Sequence, residues 1–118
     1  AKIISALPTH EVKLHALYII KNTPMAAWYR KGEIKLITVE EYVYRVIAFL
    51  EYSRPDLIFQ RLIGRAPEEA VEFANWGMGW WRIRDMIDSE LALHHTWQGK
   101  KCDYLHGKAV RQFTDRGR

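Results

Sequence analysis

Two apolar runs constrain this chain more than any other feature: VKLHALYII at 12–20 and DLIFQRLI at 56–63. Both alternating faces of each run are apolar, interrupted only by Lys13 and His15 in the first and by Gln60 and Arg61 in the second. Such segments suit a parallel sheet covered on both sides. Two helix patterns lie between them. Thr23-Pro24 supplies a cap and a first-turn proline, and Gly32 supplies a left-handed terminus, which predicts a short helix over Met25 to Lys31 with Trp28 and Tyr29 on its buried side. Thr38 and Glu41 form a capping box, followed by Val39, Tyr42, Val43, Val46, Ile47, Phe49 and Leu50 at helical spacing until Pro55. Strand, helices, strand implies a right-handed crossover and a parallel pair.

The flanks are less regular. AKIISAL at 1–7 reads as a helix entered in its middle, which suggests a piece of a longer chain. Ala66-Pro67-Glu68-Glu69 reads as a further helix start that frays near Asn75 or Gly77. A longer helix is expected from Trp80 to about His95, with Trp80, Ile83, Ile87 and Leu91 on one face. After Thr96 the periodicity is lost and Lys, Arg and Gly accumulate, as in an extended or partly disordered end. Three parts follow: 1–66 with the strand–helix–strand unit, 67–97 as a helical extension, and 98–118 as a basic, flexible tail.

Two parallel strands do not make a stable sheet. The expected fold is therefore α/β, a βαβ-containing closing part of a larger layer or barrel, which self-associates if isolated in order to cover its open strand edge. The 118 residues contain one cysteine, Cys102, which excludes an internal disulfide and a self-sufficient iron–sulfur cluster. Eighteen basic against 14 acidic residues leave a net charge of +4, which permits an anionic partner without requiring one. No signal-peptide pattern or membrane-spanning run is visible, and a cytoplasmic location is expected.

The ordered segments VKLHALYIIKNTPMAAWYRKGE (12–33), TVEEYV (38–43), PDLIFQRLIGRAP (55–67) and TWQGK (96–100) resemble the C-terminal portion of a bacterial family of radical S-adenosylmethionine (SAM) proteins, the predicted Fe–S oxidoreductases. Elongator-type radical SAM acetyltransferases show a looser version of the middle region. The resemblance implies the C-terminal part of a partial (β/α) barrel plus C-terminal helices. It implies that a missing N-terminal half holds a 4Fe-4S cluster on a Cys-x3-Cys-x2-Cys motif. There the cluster reduces SAM to methionine and a 5′-deoxyadenosyl radical that abstracts a substrate hydrogen. This portion alone is expected to be inert and to bind neither cofactor, while the parent is an oxidoreductase or transferase of unassigned substrate.

By the same resemblance, the His15 to Tyr18 segment, including Leu17, lies beside the SAM adenine, and Arg61 holds an anionic group of SAM or substrate. Family members often carry Thr-Gly-Asp where this chain has Ile63-Gly64-Arg65, so no role is carried over to positions 63 and 65. Structural alternatives stand beside these assignments. His15 suits a hydrogen-bonded core group, and Glu11, Asp56 or a neighbouring helix can pair with Arg61. Trp76, Trp80 and Trp81, with Arg82 and Arg84, suit either core packing or stacking on single-stranded RNA. The stacking reading, with the basic tail, makes an RNA-binding or protein-interaction module the competing function, or RNA a substrate of the enzyme. His94, His95, Cys102 and His106 lack the spacing of recognised zinc classes, and no metal site is expected in this portion.

Overall fold

A computed structural model describes residues 1–65 and 69–102. The element order is α1 (Lys2–Ala6), β1 (Glu11–Lys13), β2 (Ile19–Ile20), α2 (Pro24–Arg30), α3 (Val39–Glu51), β3 (Ile58–Arg61), β4 (Val71–Phe73), a 3-10 turn at Asn75–Gly77 and α4 (Trp80–Leu93). The fold is α/β. β1 pairs with β3 in parallel, as the strand–helix–strand pattern requires, while β2 pairs with β4 antiparallel.

The run at 12–20 is therefore not one strand. It follows the β3 ladder through Lys13, and Leu14 N–H still donates to the Arg61 carbonyl at 3.1 Å. Residues 14–18 then leave the ladder, and Ile19–Ile20 joins a different sheet. Continuous apolarity reported burial here, because Ala16 and Ile19 are both in the core, but it carried no information about which partner each half pairs with. The second correction concerns 71–77. Instead of a fraying helix, Val71–Phe73 is a strand, held by Ile20↔Val71 and Ile19↔Phe73 pairing and by an Arg30–Glu72 ion pair at 2.6 Å. The proposed start at Ala66, Pro67 and Glu68 lies outside the described residues.

The helices form as their caps direct. Thr23 Oγ1 accepts from Ala26 N–H and Thr38 Oγ1 accepts from Glu41 N–H, each satisfying a first-turn donor. α3 buries Tyr42, Val43, Val46 and Leu50 against Ile83 and Ile87 of α4, together with Ala16 and Ile63 from the strand side. Burying a side chain of this size gives roughly 1.5–3 kcal/mol, so this two-helix layer is the main source of cohesion. On α4 the expected face is correct for Ile83 and Ile87 but not for Trp80, which opens the helix and remains 38% exposed.

One cation organises the junction between α3 and β3. The Arg54 side chain is only 12% exposed and ion-paired with Asp56. Its guanidinium donates to the carbonyls of Ser5, Leu7 and Thr9, while its backbone N–H donates to Ser5 Oγ at 3.0 Å. Ile58 N–H then donates to the His10 carbonyl at 3.0 Å, the first rung beside β1. Residues 96–102 return to the same junction rather than trailing away. Gln98 Nε2 donates to the Arg54 and Leu57 carbonyls, Gly99 N–H to Leu50, and Lys101 N–H to Glu51. The remainder of the basic tail, 103–118, lies outside the described residues.

Arg54→Ala removes the donors of the Ser5, Leu7 and Thr9 carbonyls and the anchor of the first strand. It is expected to lower unfolding free energy by about 2–4 kcal/mol, measured by urea denaturation. A loss below about 0.5 kcal/mol, the ordinary range of a surface change, would contradict this role.

Candidate ligand-facing cluster

The parallel pair ends in a group of polar side chains. His15 follows β1 by two residues and Arg61 is the last residue of β3, so the ladder brings both to its carboxyl end. Arg61 Nη2 contacts His15 Nε2. A guanidinium can only donate, so a neutral His15 accepts on Nε2 and carries its proton on Nδ1. Both residues are exposed, and this corrects the reading of His15 as a core group. The expected carboxylate partners of Arg61 are also engaged elsewhere: Glu11 accepts from Gln60, and Asp56 pairs with Arg54. Among the described residues no carboxylate forms an ion pair with Arg61.

Behind this pair the chain makes a close approach. The Gly64 backbone runs so near the His15 and Tyr18 side chains that a Cβ at position 64 would lie 2.5 Å from His15 Nδ1 and 2.6 Å from the Tyr18 hydroxyl. The two rings meet edge to face, with centroids 6.1 Å apart. The Tyr18 hydroxyl and Asn75 Oδ1 are both buried, and neither completes a hydrogen bond in the described structure. Burial pushes the Tyr18 phenol up, with the Arg61 charge and the Asn75 side chain acting in the opposite direction. Burial, then the neighbouring Tyr18, pushes the Tyr42 phenol up to about 12, and its hydroxyl donates to the Leu62 carbonyl at 2.7 Å. Both phenols are thus neutral donors at physiological pH.

Leu17 lies at the surface, 47% exposed, beside this cluster in sequence. Gly64, Asn75 and Tyr42 were not singled out as site residues. Asn75, Trp76 and Gly77 have φ of 49°, 54° and 68°, and the Asn-x-Gly spacing is a turn signal that could have flagged this bend. Trp76 is carried by that bend into the core, where it packs 5.4 Å from Tyr42 and donates from Nε1 to the Ile37 carbonyl at 2.9 Å. Trp80 and Trp81 instead line a cavity of about 570 Å³ with Arg65, Asn75 and Met78. The tryptophan cluster is thus divided between packing and exposure.

The loosely metal-like residues are dispersed. His94 contacts Glu90 Oε2 at 2.9 Å, His95 is exposed, Cys102 is buried at the 96–102 turn, and His106 lies outside the described residues. Among the described residues no helix is long and apolar enough to cross a membrane.

A family model described as the Radical_SAM C-terminal domain matches residues 9–92. The chain is 32% identical over 100 residues to uncharacterized protein YtqA of Bacillus subtilis (strain 168), a match covering 85% of the chain and 31% of that protein. It is 31% identical over 102 residues to uncharacterized protein MJ0486 of Methanocaldococcus jannaschii, covering 86% of the chain and 32% of that protein. The chain spans about a third of the length of these curated relatives. No solved structure matches it.

The close approach at Gly64 makes a direct expectation. Gly64→Ala forces His15 or Tyr18 to move and is expected to cost about 1–3 kcal/mol, as for an overpacked core position. Thermal denaturation checks this, and a variant as stable as the parent sequence would show that the cluster is not closed around Gly64.

Proposed function

The chain belongs to the Radical_SAM C-terminal domain family, and from that premise we propose that it forms the closing, ligand-facing end of a SAM-binding barrel in a radical SAM oxidoreductase or transferase. The observation that carries the proposal is the Arg61–His15 contact at the carboxyl end of the parallel pair, with the guanidinium exposed and no carboxylate ion pair among the described residues. Ligands of parallel α/β folds bind at that end. The outer edges of β1 and β3 would pair with strands supplied by the rest of the longer protein, and in isolation they would drive self-association.

The residues present suit SAM. Arg61 offers a planar fork of donors for the methionyl carboxylate or for an anionic group of substrate. His15 orients that fork through Nε2, and the 15–18 segment, with Leu17 exposed on it, offers backbone and apolar surface to the adenine. Gly64 permits the close backbone approach, and Tyr18 stays protonated. The cluster does not suit this chain: one thiolate, on a buried Cys102 outside the site, is too few for a cluster ligand set. Its ligands belong to the remainder of the protein, and these residues are inert alone. When bound there, the cluster and SAM supply the electron transfer and hydrogen abstraction characteristic of the family. Such chemistry suits the reducing cytoplasm.

RNA is the substrate reading with support in this structure. Trp80 and Trp81 are 38% and 52% exposed, they line the cavity that contains Arg65, and Arg84 stands over the Trp80 ring at 5.2 Å. Aromatic faces beside cations suit an unpaired base and its phosphate.

Anaerobic reconstitution of the longer protein with iron, sulfide and SAM should yield 5′-deoxyadenosine on reduction. Arg61→Ala should weaken SAM binding by about tenfold or more, the equivalent of one charged hydrogen-bond pair, with Arg61→Lys recovering part of it. Failure to form 5′-deoxyadenosine removes the enzymatic reading, and unchanged SAM affinity in Arg61→Ala removes Arg61 from it.

A further inference from the structure

Asn75 joins features that sequence spacing does not connect. It is only 4% exposed and adopts a left-handed backbone, φ 49°. Its Nδ2 donates to the Gly64 carbonyl at 3.0 Å, a contact buried across eleven positions of chain. Gly64 is the residue whose backbone lies against both His15 and Tyr18, and His15 in turn holds Arg61. Asn75 also lines the neighbouring cavity with Arg65, Trp80 and Trp81.

A left-handed asparagine is tolerated but uncommon. A buried amide oxygen without a hydrogen bond carries a desolvation cost of about 1–3 kcal/mol. A glycine at this φ would avoid that cost but would leave the buried Gly64 carbonyl without its amide donor. The amide keeps one buried donor on the Gly64 carbonyl, its Oδ1 is itself buried, and its side chain is close enough to the Tyr18 phenol to act on it.

We infer that Asn75 is a positioning residue for the ligand-facing cluster. By holding the Gly64 carbonyl it fixes the backbone against which His15 and Tyr18 pack, and through His15 it sets the direction of the Arg61 guanidinium. Asn75 touches no reacting group itself. Its role toward SAM rests on the SAM-binding reading above, whereas its effect on the geometry of His15 does not.

The test uses Asn75→Gly in the longer protein, a substitution that accommodates the left-handed backbone and removes the side-chain amide. Two readouts are taken. In the first, nuclear Overhauser contacts between selectively labelled His15 and Tyr18 rings are recorded without SAM. They should be present in the natural sequence and weakened or lost in Asn75→Gly. In the second, SAM affinity is measured by equilibrium dialysis. It should fall about tenfold, the equivalent of about one hydrogen bond, and the effect of Asn75→Gly should disappear in a His15→Ala background. Ser53→Ala serves as the control for general destabilisation. Ser53 is fully buried at the far junction and donates to the Phe49 carbonyl, so this change should lower stability without altering SAM affinity.

Unchanged His15–Tyr18 contacts in Asn75→Gly overturn the inference whether or not SAM binds. So does a loss of affinity that simply adds to that of His15→Ala, or a Ser53→Ala loss equal to that of Asn75→Gly. If the natural protein has no SAM affinity while the ring contacts still depend on Asn75, the geometric role stands and the SAM-binding reading falls.

Discussion

The largely enclosed guanidinium of Arg54 is the constraint from which the rest of the architecture follows. A cation that is 12% exposed needs a carboxylate and several acceptors, and it finds them in Asp56 and in the carbonyls of residues 5, 7 and 9. Meeting that need brings the start of the chain beside the turn that links α3 to β3. The parallel ladder then runs from His10–Ile58 to Lys13–Arg61, and its carboxyl end delivers His15 and Arg61 to the same place. The 96–102 segment reinforces the junction through Gln98 rather than building a separate unit.

The two ends of the ladder have different physical characters. At the Arg54 end, buried polar groups are paired with one another, as befits a structural junction. At the Arg61 end, an exposed guanidinium has the His15 imidazole as its contact, while two buried polar atoms complete no hydrogen bond among the described residues. This asymmetry supports the view that the second end belongs to a larger site. The chain belongs to the Radical_SAM C-terminal domain family and spans about a third of the length of its relatives, which accords with the proposal that further strands complete the site.

Much of this was legible in the amino-acid sequence, for identifiable reasons. α3 was visible because its capping box and its apolar spacing are local signals that agree with each other. The parallel relation of 12–13 to 58–61 was visible because a helical crossover leaves few alternatives. The division of 12–20 between two sheets was not, since burial on both faces is the same for either partner. Nor was β4, because acidic residues after a proline at 67–69 resemble a helix start and only pairing with Ile19–Ile20 decides otherwise. His15 and Arg61 were each picked out by polarity in an apolar run. Their mutual contact was hidden because it depends on Glu11 and Asp56 being claimed by Gln60 and Arg54, a competition settled only in three dimensions. Asn75 became visible only through the left-handed bend that brings it to Gly64.

The central claim is that the carboxyl end of the β1–β3 pair faces SAM. Hydrogen–deuterium exchange of the longer protein, reconstituted anaerobically and compared with and without SAM, tests it most directly. The account predicts slower exchange at residues 14–18 and 61–65, with little change along the outer face shared by Tyr44 and Met86. SAM binding that leaves both of those segments unchanged would contradict it.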